Sequence, residues 1–361
     1  MDYSPAPLLH LVGSLESGFF ADLSAVYAKD CIAAEVGCGN TDQLMALAKP
    51  NGIWLLFDSV EDWREERAQP ADEAGLQRWM ASNSEHVVLP HMFCYDGMTR
   101  CRQLALNAGL TMVGNLPTTM ATAANKWHTR EAVQDSGVSI PEAELLTVGD
   151  KPTQLPPYVV KPVDADNSVG VSLVRTEEET DSALSKAFAE SQSVVAERYI
   201  PLGREVRCGV IERESEPTPT ALQEYDVDEQ SCPIRPTESK LVRDESGQLD
   251  LASKKSRTSW IIAEDDPISS AVQAAAIRCH EALGCRHYSL FDFRVDPTGK
   301  PWLLEAGLYC SFASNSVLVA MAEATGIPRA EFLREMVRLA TQNSDLQLLQ
   351  STGTCNPGLR P

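Results

Sequence analysis

Residues 288–306 read Tyr288-Ser289-Leu290-Phe291-Asp292-Phe293-Arg294-Val295-Asp296-Pro297-Thr298-Gly299-Lys300-Pro301-Trp302-Leu303-Leu304-Glu305-Ala306. Both flanks are apolar and aromatic, residue types that fit a pleated surface. Between them Asp296-Pro297-Thr298-Gly299 is a turn, with proline second, where its fixed φ is tolerated. The stretch is predicted to be a β-hairpin. With Asp296 opposite Gly299, Asp292 faces Leu303, and Glu305 becomes its diagonal neighbour on the same face, about 7 Å away. Two carboxylates so placed can share magnesium, which prefers one or two carboxylates plus phosphate oxygens. The alternative is an exposed face with two solvated acids. Phe291, Phe293 and Trp302 favour a packed sheet without choosing between these readings.

Upstream, the apolar strand Tyr158-Val159-Val160 ends in Lys161, just before Pro162. That charge needs a partner, either a phosphate or a carboxylate. The loop Asp164-Ala165-Asp166-Asn167-Ser168-Val169-Gly170 has the composition of loops that offer N–H groups to phosphates, and equally that of a surface hairpin. Ser168 to Val174 is predicted as the next strand. Lys126 falls mid-helix in a helix from Thr118 to Ser136, closed by Gly137 with Pro141 beyond, where lysine is ordinarily solvated. Val194–Ile200 and Glu205–Ile211 read as strands around Pro201-Leu202-Gly203, and 268–283 as a helix. Residues 213–257 are polar and rich in proline, serine and charge, as in a long loop over a site or a partly disordered one.

In the first 117 residues, Leu8–Val12, Gly52–Phe57, 85–90 and 110–114 read as strands. They alternate with helical pieces such as Phe19–Ala34 and Ala71–Ser82. That alternation predicts a parallel sheet with helices on its faces, an α/β class with α+β character later in the chain. The expected division is an α/β substrate domain over 1–117, a central domain over 118–196, a C-terminal domain with the metal hairpin over 197–345, and a flexible tail over 346–361.

Composition narrows the function. A chain of 361 residues exceeds one hydrophobic core. Lys+Arg of 31 against Asp+Glu of 51 gives a net charge of −20, which disfavours nonspecific binding to nucleic acid or anionic lipid. No apolar run approaches a membrane span, and the start Met1-Asp2-Tyr3-Ser4-Pro5 lacks the look of a signal peptide. The ten cysteines form no Cys-x-x-Cys pair, which disfavours zinc and suggests reduced thiols in a cytoplasmic protein.

Taken in order, Val160-Lys161-Pro162 with Asn167-Ser168-Val169-Gly170, Val195-Ala196-Glu197 with Gly203-Arg204-Glu205, and Asp292 followed by Glu305 resemble the D-alanine–D-alanine ligase branch of the ATP-grasp superfamily. The resemblance spans roughly 8–341. It implies a three-domain ATP-grasp fold with ATP between the central and C-terminal domains, and a homodimer. By the same resemblance Lys126 and Lys161 contact the ATP phosphates and Ser168 belongs to the loop closing over them. Glu197 and Ile200 border the adenine, and Glu205 holds the ribose. Asp292 and Glu305 bind magnesium, two ions in all, with manganese as a substitute. Glu16 and Ser316 bind substrate, and Lys240 comes from a mobile loop.

Two positions depart from the family pattern: Gly307 where it has a metal-ligating Asn, and Leu290 where it has an oxyanion-stabilising Arg. Both touch the chemistry. Other stretches look like the mycosporine-glycine–amino acid ligases: His10-Leu11-Val12-Gly13-Ser14, Met92-Phe93-Cys94, Arg204-Glu205-Val206-Arg207-Cys208-Gly209 and Leu304 to Phe312. Those enzymes make ultraviolet-absorbing mycosporine-like amino acids such as shinorine and porphyra-334. The resemblance implies an ADP- and phosphate-forming ligase that joins mycosporine-glycine to serine, threonine or a similar amino acid through a phosphorylated intermediate. A D-alanine-type dipeptide ligase is the alternative, and a nucleotide-binding protein without catalysis is the alternative of another class. Arg207, Arg286 and Arg294 are further candidates for substrate carboxylates, with an ion pair the commoner use of arginine. Cys310 and His287, near the hairpin, read as packing.

Overall fold

The computed structural model describes residues 5–165, 168–231, 233–234, 241–243, 249–251 and 259–352. The chain divides into two compact units, Met1–Gly114 with Ala330–Pro361, and Asn115–Arg329.

The first unit is built on β1 (Leu8–Gly13), α1 (Gly18–Gly37), β2 (Gln43–Ala48), β3 (Trp54–Phe57), α2 (Val60–Arg64), β4 (Gln69–Ala71), α3 (Glu73–Ala81), β5 (Val87–Pro90), α4 (Tyr95–Met98), α5 (Arg100–Asn107) and β6 (Thr111–Met112). Its sheet runs β4-β3-β2-β1-β5-β6. β1 is buried along its whole length, the continuous run expected of a strand covered on both faces. The β2-β1-β5-β6 pairings are parallel, but β3 pairs antiparallel with both β2 and β4, so the all-parallel expectation is corrected to a mixed sheet. Sequence reading gave no strand to Gln43–Ala48, because Gln, Leu, Met and Ala favour helices locally; burial between β1 and β3 overrides that preference. Gly13, at φ +94°, turns the chain from β1 toward α1, and a Cβ there would lie 2.2 Å from the Ala48 carbonyl oxygen. Ser17 caps α1 by accepting from the Phe20 N–H.

The second unit holds α6 (Pro117–Ala123), α7 (Lys126–Val133), β7 (Ala143–Thr147), β8 (Tyr158–Pro162), β9 (Ser172–Val174), α8 (Thr180–Phe188), β10 (Ser193–Arg198), β11 (Arg204–Arg213), β12 (Glu216–Tyr225), β13 (Leu241–Arg243), β14 (Leu249–Leu251), β15 (Ser259–Ile261), α9 (Ser269–Ala282), β16 (Tyr288–Val295), β17 (Pro301–Gly307) and α10 (Val317–Ala324). The four strands β7-β10-β8-β9 form an antiparallel sheet. Ala183, Leu184 and Ala187 of α8 cover it, packing on Val160, Val174 and Val194. A five-stranded antiparallel sheet, β15-β12-β11-β16-β17, carries α9 and α10.

Three expectations change here. The single helix 118–136 is two, because Asn125 interrupts it and caps α7 by accepting from the Trp127 and His128 N–H groups. The polar stretch from 213 opens with the ten-residue strand β12. Its Pro217 and Pro219 are tolerated because β15 reaches only 223–225 on the other side, so that among the described residues no strand pairs that edge at the prolines. Ser168 and Gly170 lie in a turn ahead of β9, not in the strand.

α11 (Arg329–Thr352) closes the described chain, so the expected tail begins within a helix. Among the described residues no helix is long and apolar enough to cross a membrane.

Candidate active site

β16 and β17 form the predicted hairpin, but its register differs from the expected one. The turn is one residue wider, because the Asp296 N–H bonds the Lys300 carbonyl. Asp296 Oδ1 shapes that turn by accepting from Thr298 N, Thr298 Oγ1 and Lys300 N. Val295, Arg294 and Phe293 therefore face Pro301, Trp302 and Leu303. Continued regularly, this register would set Leu304 against Asp292 and turn Glu305 to the other face. A β-bulge between Asp292 and Phe293 absorbs the extra residue, and Asp292 pairs directly with Glu305. The two carboxylates share a face, as cross-strand neighbours and not diagonal ones.

On the other side of β16, Asp292 pairs in register with Arg207 of β11. Arg207 Nε and Nη2 reach its two oxygens at 2.5 and 2.7 Å. Burial works against the Arg207 cation, but the neighbouring Asp292 carboxylate outweighs it and holds the group well above its ordinary value. The row across three strands is thus Arg207, Asp292, Glu305.

Lys161 and Glu197, from neighbouring strands β8 and β10, form a buried ion pair at 2.9 Å. The carboxylate partner considered for Lys161 is therefore present. Lys161 Nζ also donates to the bulge carbonyl of Leu304 at 3.4 Å. Lys126 is the first residue of α7, not a mid-helix position. Its backbone N–H is fixed on the Val163 carbonyl at 2.7 Å, its Nζ donates to Ala165 O at 2.6 Å, and Glu305 lies 3.9 Å away. Both lysines thus reach the hairpin, Lys126 at Glu305 and Lys161 at Leu304.

Glu205 is buried and accepts from Arg294 at 2.9 Å. Arg294 also donates to the carbonyls of Ile200 and Pro233 and stacks over the Tyr199 ring. Burial, and then the hydrogen bond to Glu229, push the Tyr199 hydroxyl up to about 12.

Lys126, Lys161, Ser168, Glu197, Ile200, Glu205, Asp292 and Glu305 line one cleft of about 760 Å³, open solvent at its mouth included. The four-stranded and the five-stranded sheet of the second unit both contribute to it. Arg294 and Tyr199 line it too. The place of Tyr199 in the cleft was not legible in the sequence, where it is one more residue of an apolar strand.

Glu16 belongs to the first unit, in the turn after β1, and accepts from the Asp96 N–H at 2.6 Å. Ser316 belongs to the second unit, buried ahead of α10, 3.7 Å from the Cys310 sulfur. Neither lines the cleft. Lys240 lies outside the described residues. Burial pushes the Cys310 thiol up to about 11, which suits packing and not nucleophilic attack.

The donor set fits a hard divalent cation: two carboxylates side by side, with lysines near enough to share bound phosphate oxygens. Gly307 adds no donor, and Asp292 meets the cleft with Arg207 already bound to both its oxygens.

Two sheets contributing lysines and paired carboxylates to a common cleft are the construction of an ATP-grasp ligase, a class that forms C–N bonds using ATP and divalent cations. The family model described as D-ala D-ala ligase C-terminus matches residues 150–338. A D-alanine–D-alanine ligase of Sinorhizobium fredii is 30% identical over 229 residues, 61% of this chain and 69% of the relative. One from a Synechococcus strain is 26% identical over 261 residues, 69% of this chain and 72% of its own. The fold is shared with the solved D-alanine–D-alanine ligase of Coxiella burnetii, at a TM-score of 0.74 and 18% identity over 96% of this chain and 98% of that one. It is shared equally with the VanG D-Ala:D-Ser ligase of Enterococcus faecalis, at 0.73 and 19% over 93% and 100%. The chain belongs to the D-alanine–D-alanine ligase family.

Proposed function

We propose that the chain transfers the γ-phosphoryl group of ATP to an oxygen of one small molecule, and that an amino acid's amine then displaces it. The amine nitrogen attacks the carbon bearing the phosphorylated oxygen, the C–O bond breaks, inorganic phosphate leaves and the nitrogen loses a proton. The convergence of Lys126, Lys161, Asp292 and Glu305 on one cleft carries this reading. Lys126 and Lys161 offset the charge of the phosphates, and Ser168 lies in the loop that covers them. Glu197 and Ile200 border the adenine, and Glu205 holds the ribose. Asp292 and Glu305 hold magnesium or manganese, which supplies charge neutralisation at the phosphate oxygens. Glu16 and Ser316 hold the substrates, and Lys240 serves from its loop. The protein acts as a homodimer in the cytoplasm.

The names of the relatives support a carboxylate acceptor, as in D-alanyl-D-alanine synthesis. A second acceptor is favoured by Leu290 and Gly307, which face each other across the hairpin and offer no polar side chain there. An acyl phosphate needs a donor for its tetrahedral oxyanion; an enolate-like oxygen conjugated through a ring disperses its charge and needs that donor less. Mycosporine-glycine is such an acceptor, and its product with serine or threonine is an iminomycosporine.

Incubation with ATP, Mg2+ and either D-alanine or mycosporine-glycine plus mixed amino acids separates the two by phosphate release and product mass. Bound ATP with no ADP formed under either condition would sink the ligase reading.

A further inference from the structure

We infer that His10, Cys31 and His91 form a second metal site, suited to a thiophilic cation, Cu+ or Zn2+. His10 lies within β1, Cys31 on α1 and His91 immediately after β5; all three are buried, and none lines the cleft described above. One nitrogen of each ring and the Cys31 sulfur lie within 4.8 Å of one another. Alternation along β1 puts Leu9 and Leu11 into one core and Val12, with Ala28 and Ile32 of α1, into the other. His10 shares the α1 side with Val12.

The hydrogen bonds set the tautomer. Gln43 Nε2 donates to the Asn40 carbonyl at 2.6 Å, so Oε1 is the atom turned to His10. It accepts from His10 Nε2 at 2.8 Å. In the neutral ring, with the Nε2–H given to Gln43, the remaining nitrogen, Nδ1, carries a lone pair. That lone pair faces His91 Nε2 at 2.9 Å. Metal-bound histidines commonly donate their second N–H to a carbonyl, and the Gln43 amide already takes that place for His10.

Donors around one ion, with about 2.0 Å to nitrogen and about 2.3 Å to sulfur, lie roughly 3.3–3.8 Å apart. Entry of a cation therefore opens the present 2.9 Å contact by only a few tenths of an ångström. The proton on His91 Nε2 moves to its Nδ1, and the Cys31 thiol releases one proton as its sulfur binds. Two imidazoles and a thiolate suit Cu+ or Zn2+ and not the hard cation of the carboxylate pair. Cu+ accepts three donors, whereas Zn2+ adds a water. With 20 and 59 residues between successive ligands, no spacing motif announces the set.

The test uses the full chain carrying Cys38→Ser, which removes an exposed thiol. It is stripped with chelator and offered Zn2+, Cu+ under reductant, or Co2+. Expected are one tightly held Zn2+ or Cu+ per chain by elemental analysis and a thiolate-to-metal absorption band with Co2+. Both are lost in Cys31→Ala and in His91→Gln, while binding of ATP with Mg2+ is unchanged. Circular dichroism melts check that the variants fold. If they do not, the Co2+ spectrum of the parent decides, and absence of the thiolate band overturns the site. It is equally overturned if the parent retains neither ion, or if retention survives Cys31→Ala, in which case the three side chains are hydrogen-bonded core packing.

Discussion

Arg207 spans both carboxylate oxygens of Asp292, at 2.5 and 2.7 Å, from the adjacent strand. The acid that would hold a cation in the cleft thus already has a counter-ion. A buried pair is costly to break from one side only, because the remaining charge is left without compensation. Arg207→Met should lower stability by about 3 kcal/mol in chelator. Mn2+ should then restore more of the melting temperature in the variant than it adds to the parent, since it fills the position the guanidinium leaves. Equal shifts in both proteins would show that Arg207 and the cation do not compete.

Asp292→Asn and Glu305→Gln remove one negative charge each from the paired carboxylates. Each should reduce ATP-dependent phosphate release by at least ~100-fold, the scale of losing one electrostatic group at a reacting centre. Glu305 is partly exposed and Asp292 is not, so Glu305→Gln should leave the melting temperature closer to that of the parent. Phosphate release and melts on the same preparations check both.

Leu290 sits two residues before Asp292 and opposite Gly307. Leu290→Arg places a donor where the hairpin has none. It should raise product formation from a carboxylate acceptor and lower it from a ring acceptor, read as kcat/KM for each. Ring-substrate turnover that does not change would remove the argument drawn from this position.

Asp296, in the turn, is held down to about 2: slight burial raises it, but hydrogen bonds from Thr298, Trp302 and Lys300 outweigh that. A folded value below the ordinary 3.8 stabilises the protein above that pH, and the contribution is lost as pH falls toward about 2. The group is only partly buried, so screening keeps the effect under about 1 kcal/mol. Asp296→Asn should therefore cost a little stability at pH 7, and the difference from the parent should shrink below pH 4 in urea melts.

The chemistry-bearing residues were more legible than the elements holding them. Asp292, Glu305, Lys161 and Glu197 stand out because charge on an apolar strand demands a partner, and all four line the cleft. The register was not legible. Asp296-Pro297-Thr298-Gly299 specifies a turn but not whether Lys300 joins it, and the bulge answers to the packing of three strands. Pro217 and Pro219 hid β12, since nothing local reveals an edge that no described strand pairs. The ion pairs of Arg207 and Arg294 depend on β11 lying beside β16, a neighbour 80 or more residues distant in sequence.

The bulge at Leu304 gives the hairpin one residue of slack. A chain lacking Leu304 would bring Asp292 and Glu305 together in a regular ladder, at the loss of the carbonyl that Lys161 reaches. A chain one residue longer would need a second irregularity to do the same. Length variation between these two acids should therefore be tolerated in one direction only, toward deletion.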